Sequence, residues 1–450
     1  MKKIFFLLIA IFSIAINAQT NPAITKFLQN TTGITGRHYV TGNSTPIVDA
    51  VQANVQSVYY NATYSYVSAT GIPAYITGPF QDGNPSLATA QNKIFRIPLN
   101  PTQGSGTTAT TGGNIGVFIN GVALFDYRDG VAWNNTTQSL CGGPGNSPCP
   151  GGPTATQAWN RDAIPAERAG FDCSKAHPAM GNYHHHQNPS AFNLDLLVTS
   201  TICDAYPSDG LYVINTNEHS PLLGFAYDSF PIYGAYAYAN TNGTGAITRM
   251  KSSYQLKDQA TRSNGPAVNQ VLGAQTFFNG YFREDYEYVA HNDDASYLDQ
   301  HNGRFCVTPE YPEGIYCYFA TVDANHKSAY PYVVGPTFYG NITVTTVTTI
   351  PDGATQYTQP LDNASFGDNN FKVIVAPNPA QDFIAIQTNT AENDMTVDVI
   401  DALGKIVKTT KIIQGSTLSI IETDNLYNGT YIVRISDGSK SKTTKVIIAK

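Results

Sequence analysis

Charge is scarce in this sequence. Asp, Glu, Lys and Arg make up 13% of its 450 residues, about half the usual share. The Leu, Lys and Glu that favour helices are few, which argues against a helical fold. Basic residues are scarcer still. Of the 26 Lys and Arg, two lie in residues 1–18 and nine in residues 371–450, leaving 15 against 25 acidic side chains between 19 and 370. A working part of that sign excludes nucleic acid as a partner, because phosphate backbones require the opposite charge. Cations suit it better. After residue 18 no apolar run approaches the roughly 20 residues of a membrane helix, so no transmembrane segment is expected in the mature chain. Several catalytic signatures are also missing: a Gly-x-Ser-x-Gly elbow, a His-Glu-x-x-His helix and a phosphate loop. No Asp-x-Asp-x-Asp-Gly loop for calcium and no Cys-x-x-Cys spacing for a structural zinc appears.

What is present favours a mainly β fold, with a large β-rich, loop-rich central domain and a β-sandwich at the C-terminus. Tyr (28) and Gly (38) are abundant, a bias toward strands and turns. The chain opens on Met1-Lys2-Lys3, an apolar core from Ile4 to Ile16 and a small residue at Ala18, the order of a signal peptide over residues 1–18. Residues 19–50 form an N-terminal segment, 51–350 the central domain, 351–370 an apolar-poor linker and 371–450 the tail. In the central domain, strands are predicted at Lys93–Ile97, Ile115–Ile119, Asn182–Gln187, Leu211–Ile214, Leu223–Tyr227, Tyr286–Val289 and Ile315–Thr321. Gly104–Gly113 and Asn134–Thr156 are Gly-, Pro- or polar-rich and are expected to be surface excursions.

The tail alternates apolar and polar residues in seven bursts: 373–375, 383–386, 396–400, 406–408, 418–420, 431–435 and 445–448. This pattern predicts a small β-sandwich. Its markers are Pro377-Asn378-Pro379, Asp401-Ala402-Leu403-Gly404-Lys405, Leu426 with Asn428-Gly429-Thr430-Tyr431, and Lys445-Val446-Ile447. In this order the set resembles the type A sorting domain of type IX secretion cargo. The resemblance implies recognition by the outer-membrane type IX machinery and removal of the tail, with release or anchoring to surface lipopolysaccharide.

The six cysteines are even in number in a chain expected to be exported, which points to disulfides. Neighbour pairing gives Cys141–Cys149, Cys173–Cys203 and Cys306–Cys317, although spacing alone leaves the connectivity open.

A second resemblance runs through the central domain. His177-Pro178 is followed by Gly181-Asn182-Tyr183-His184-His185-His186. Further on come His219-Ser220-Pro221-Leu222-Leu223-Gly224-Phe225-Ala226-Tyr227-Asp228 and Phe230-Pro231-Ile232-Tyr233-Gly234. With Glu284-Asp285-Tyr286-Glu287-Tyr288, Leu298-Asp299, Asn302-Gly303-Arg304-Phe305 and Thr308 to Gly314, these strings resemble the YHYH-domain family. The resemblance brings no assigned activity. The chain departs from the family pattern in having His185 where the second tyrosine of the naming motif stands, and Asp228-Ser229 for the usual aspartate-glycine.

If Tyr183–His186 is a strand, its period of two places His184 and His186 on one face and Tyr183 with His185 on the other. Two imidazoles at i and i+2 can share a metal ion, with His219 or His177 as third ligand. Zinc or copper suits three imidazoles with an open position, and such an ion could acidify a bound water or cycle electrons. The alternative is a set of hydrogen-bonded structural histidines. Asp228, in an apolar strand, is a candidate catalytic base, a partner that orients an imidazole, or a salt-bridge partner of Arg304. Asp285, Glu287, Asp299 and Glu310 are further carboxylates. Three functions stay open: a metalloenzyme acting on an extracellular substrate, a non-catalytic binding or adhesion module, and metal capture.

Overall fold

The computed structural model describes residues 21–81, 86–151, 157–197, 200–358, 373–389, 391, 393–437 and 441–450. The expected signal peptide and most of the expected linker lie outside them. The chain is mainly β. At its centre is an eight-stranded mixed sheet made of β1 (Asn114–Phe118), β2 (Ala123–Phe125), β3 (His177–Ala179), β4 (Asn182–His185), β5 (Leu222–Ala226), β6 (Pro231–Tyr233), β7 (Gly303–Cys306) and β8 (Ile315–Phe319). Its spatial order is β3-β4-β2-β1-β5-β6-β8-β7. The β4–β2 and β6–β8 pairs are parallel.

Alternation along these strands explains why the sheet is covered on both sides. Phe118, Leu223, Ala226, Ile232, Tyr316 and Tyr318 enter one core with Tyr127, Phe171 and Phe192. Their neighbours Val117, Leu222, Phe225, Tyr233, Cys317 and Phe319 enter the other. There they meet Val58, Val67 and Phe95 from a five-stranded sheet ordered Thr346–Val347, Lys93–Pro98, Tyr64–Ala69, Val55–Tyr60 and Thr355–Tyr357.

Most expected central strands are present, within a residue or two. Leu211–Ile214 is not a strand. Its backbone N–H groups are taken singly, Leu211 donating to the Pro189 carbonyl at 2.6 Å and Val213 to Gln387 Oε1 at 3.0 Å, so no ladder forms. Gly104–Gly113 is mostly exposed, Thr110 being buried, but holds the strand Gln103–Ala109, paired with Thr337–Gly340. Asn134–Thr156 contains a short strand, Ser139–Cys141, and its residues 152–156 lie outside the described residues. The N-terminal segment is integral to the core: Ala23, Ile24 and Phe27 are buried beside Val55 and Phe225, and Thr35–Val40 pairs with Ile76–Thr77. At the other end, Thr355–Tyr357 extends the five-stranded sheet into the expected linker.

Two disulfides form, Cys141–Cys149 and Cys173–Cys203. Cys306 and Cys317 do not: both are buried free thiols. The β7–β8 register pairs Cys306 with Ile315 and Arg304 with Cys317. The two cysteines are thus diagonal neighbours rather than directly opposed, with their thiols in side-chain contact but not bonded.

All seven tail strands are present, in sheets of three and four, around Ile384, Ile386, Val397, Val399, Ile421, Val433, Ile435 and Val446. The tail packs on the central domain. Buried Asp209 accepts hydrogen bonds from the backbone N–H of Thr417 (2.8 Å) and Leu418 (3.0 Å), and Leu194 and Val213 pack with Phe383 and Leu418. Among the described residues, no helix is long and apolar enough to cross a membrane.

Candidate metal centre

Three of the four candidate histidines converge because of a hairpin. Met180-Gly181 forms a two-residue turn with both φ positive, 49° and 81°, the conformation that matches the twist of paired strands. Glycine suits its second position doubly, since a Cβ there would collide with the Thr89 side chain. The turn fixes the register of β3 against β4, so that His177 lies directly opposite His184. His186, two residues after His184, projects on the same side. The ligand atoms of His177, His184 and His186 all lie within 4.8 Å of one another.

The Nδ1 atoms of His184 and His186 are each committed to a carbonyl. His184 Nδ1–H donates to the Asn182 carbonyl at 2.8 Å, and His186 Nδ1–H donates to the Asp126 carbonyl at 2.6 Å. In the neutral rings both protons are thereby placed on Nδ1, and both Nε2 atoms present lone pairs. Those lone pairs face each other at 3.1 Å. Only a proton or another cation between them makes that contact attractive. A proton is disfavoured: burial, then the neighbouring imidazoles, hold His184 well below the ordinary histidine range, and burial also lowers His186. Phe125 stacks on His184 at 3.7 Å between centroids, and Phe171 meets His177 edge-on at 4.9 Å. These rings keep the site in a low-dielectric wall, with His177, His184 and His186 only 6%, 1% and 3% exposed.

His185 points to the opposite side, as its parity requires. It is fully buried, accepting from the Tyr75 hydroxyl at 2.7 Å and donating to the Lys175 carbonyl at 3.3 Å. Burial depresses its pKa to about 3.

His219 does not join the cluster. Its ring packs against Tyr233 and Tyr238, and its Nδ1 donates to the Ser220 carbonyl at 2.8 Å. It precedes a strand three positions from β4 in the sheet, which carries it away from the imidazoles.

Asp228 neither orients an imidazole nor pairs with Arg304. Its carboxylate accepts from the Tyr318 hydroxyl at 2.5 Å, from Gly340 N–H at 2.8 Å and from Phe230 N–H at 3.4 Å. Arg304 instead donates to the carbonyls of Tyr238 and Ala295. Burial pushes the Asp228 carboxyl up to about 6. Asp228→Ala should therefore leave metal content unchanged while lowering stability by about 1–3 kcal/mol, the cost of stranding buried donors. Urea unfolding alongside elemental analysis checks both halves; a loss of metal would restore Asp228 to the site.

The other carboxylates are structural or exposed. Asp285 pairs with Arg262, Asp299 accepts from the Tyr316 hydroxyl, Glu310 pairs with Lys26, and Glu287 is exposed on a strand. The residue that sequence reasoning missed is Glu167. It ends the short helix α1 (Ala163–Glu167), capped by the Asp162 side chain on Ile164 N–H. Its Oε2 lies 3.4 Å from His177 Nε2 and 3.5 Å from His186 Nε2. Burial raises this carboxyl, but the facing His177 and His186 outweigh burial and hold it below its ordinary value. No motif around Ala163-Ile164-Pro165-Ala166-Glu167 signals the role, because only the tertiary fold brings it to the rings.

Two family models match the chain. One, described as "YHYH protein", covers residues 94–330, and one described as "Secretion system C-terminal sorting domain" covers residues 374–449. Comparison with curated proteins finds no match.

Proposed function

For a chain that belongs to the YHYH protein family and ends in a type IX sorting domain, we propose that the central domain holds one divalent transition-metal ion between His177, His184 and His186. Export to the cell surface or medium follows from the sorting domain. The central domain, on this reading, runs from the start of the mature chain to about residue 357 and the sorting domain from 373.

The observation that carries the proposal is the pair of Nε2 lone pairs facing at 3.1 Å with both Nδ1 protons committed to carbonyls. Such second-nitrogen hydrogen bonds orient imidazoles and raise their basicity toward a metal. An all-imidazole nitrogen set suits zinc or copper. A bound ion would supply a cross-link between the β3–β4 hairpin and the loop after β4, and its affinity would rise as the imidazoles lose protons. The residues themselves bind and orient it, while Phe125 and Phe171 exclude water. That burial favours a structural or metal-holding role over turnover of an extracellular substrate.

Elemental analysis of the secreted protein tests the proposal. About one equivalent of zinc or copper per chain is expected, together with a fall in melting temperature on adding chelator. Metal-free protein whose melting ignores both chelator and added zinc or copper would leave the histidines as a hydrogen-bonded core cluster.

A further inference from the structure

We infer that Glu167 Oε2 is the fourth donor of this centre, closing a three-imidazole, one-carboxylate tetrahedron that leaves no coordination position for a substrate. The inference rests on the metal reading above and adds its coordination number and role.

Spacing is the first support. Metal–donor bonds of 2.0–2.1 Å in a tetrahedron put neighbouring donor atoms about 3.3–3.4 Å apart. Three of the six separations have this size, 3.4 Å from Glu167 Oε2 to His177 Nε2, 3.5 Å from it to His186 Nε2 and 3.1 Å between His184 Nε2 and His186 Nε2; the three imidazole donors as a set lie within 4.8 Å of one another, so a bound ion would draw the others inward. A carboxylate acting only as a base on a metal-bound water would sit further from the nitrogens than the ligands sit from each other.

The second support is that the partners of this oxygen are the imidazoles themselves, His177 and His186. Oε2 is buried and, apart from the long contacts to these two rings, takes no donor, whereas Asp162, Asp172 and Asp285 each engage both oxygens with other donors. The basic residues flanking Glu167 in sequence form their ion pairs with other carboxylates, Arg161 with Asp129 and Arg168 with Asp195. The third support is charge. A divalent ion held by neutral imidazoles alone would place two positive charges beside Phe125 and Phe171, and one carboxylate halves that buried charge.

The helix that carries Glu167 is anchored independently of the site. Asp162, its cap, also accepts from the Tyr332 hydroxyl at 2.6 Å. The carboxylate is thus delivered on a fixed element.

The test uses the full secreted chain, stripped of metal and titrated with Co2+ alone, with azide as the external ligand. The wild type should bind one equivalent, show the visible absorption of a four-coordinate ion, and keep that spectrum when azide is added. Glu167→Ala and the size-matched Glu167→Gln should still bind one equivalent, with affinity about tenfold or more weaker and a spectrum that now responds to azide. A wild-type spectrum that shifts with azide, or variants with unchanged affinity and spectrum, would overturn the carboxylate ligand while leaving the histidine site standing. Failure of the wild type to bind Co2+ would overturn both. Should the alanine variant not fold, the glutamine variant decides alone.

Discussion

His184→Ala should reduce bound metal from about one equivalent to less than a tenth of one, the largest functional change expected from any single substitution in this chain. His184 is the ring on which the cluster converges: it faces His186 at 3.1 Å, lies across the ladder from His177 and stacks on Phe125. Removing it leaves two imidazoles without the third nitrogen that fixes the ion. Where free metal stands at about a thousand times the dissociation constant, the lost linkage amounts to about 4 kcal/mol of stability. Chelator should then no longer lower the melting temperature of the variant. The acid side carries a sign as well. His184 and His186 have pKa values depressed below the unfolded value, so their contribution is complete above about pH 6.5 and declines as the pH falls toward the folded values. In the metal-loaded wild type that decline should coincide with metal release, because protons and metal compete for Nε2. A His184→Ala protein that retains a full equivalent of metal would disprove the assignment.

The largest loss of stability is expected elsewhere, at Arg262. Its guanidinium forms a bidentate pair with Asp285 at 2.6 and 2.8 Å, both side chains fully buried. It also donates to the carbonyls of Pro266, Ala267, Phe277 and Phe278. Asp285 in turn accepts from Gly280 and Phe282 N–H and from Gln259. Arg262→Met removes the cation but leaves the carboxylate and four carbonyls without their donor, a cost of about 3–5 kcal/mol. Trp133 and Trp159, the two tryptophans of the chain, pack with Phe277 and Phe282 in this same region, so their fluorescence reports its unfolding directly. Urea titration followed at the tryptophans checks the figure, and a change under about 1 kcal/mol would mean that the pair contributes little. Metal content should be unaffected, which separates this effect from that of His184.

These two sites differ in how far the sequence announces them. The parity of Tyr183-His184-His185-His186 places His184 with His186 from the period of a strand alone, and His185 duly faces the other way. What parity cannot supply is register. His177 and His219 were equal candidates for the third ligand, and the choice was made by the Met180-Gly181 turn, which folds β3 directly onto β4. That signal was legible in principle, since a glycine-containing pair between short extended runs is turn chemistry. Glu167 left no trace, because its approach depends on a short helix arriving from a different part of the chain. The seven tail strands were readable because each is short, alternating and bounded by turn residues. Leu211–Ile214 looked similar but lies where single hydrogen bonds to a loop and to the tail replace a ladder. Asp228 is a charge in an apolar strand, and the groups that accommodate it, Tyr318 and Gly340, lie about a hundred residues onward in the chain. Cys306 and Cys317 show the same limit, being close in sequence yet offset by one diagonal of the ladder.

Anomalous X-ray scattering from crystals of the secreted protein, collected on either side of the zinc and copper absorption edges, addresses the central claim most directly. A single strong peak is expected about 2.0–2.1 Å from the Nε2 atoms of His177, His184 and His186. Crystals grown with added zinc or copper that show no peak there, or whose only peak lies at His219 or another surface group, would contradict it.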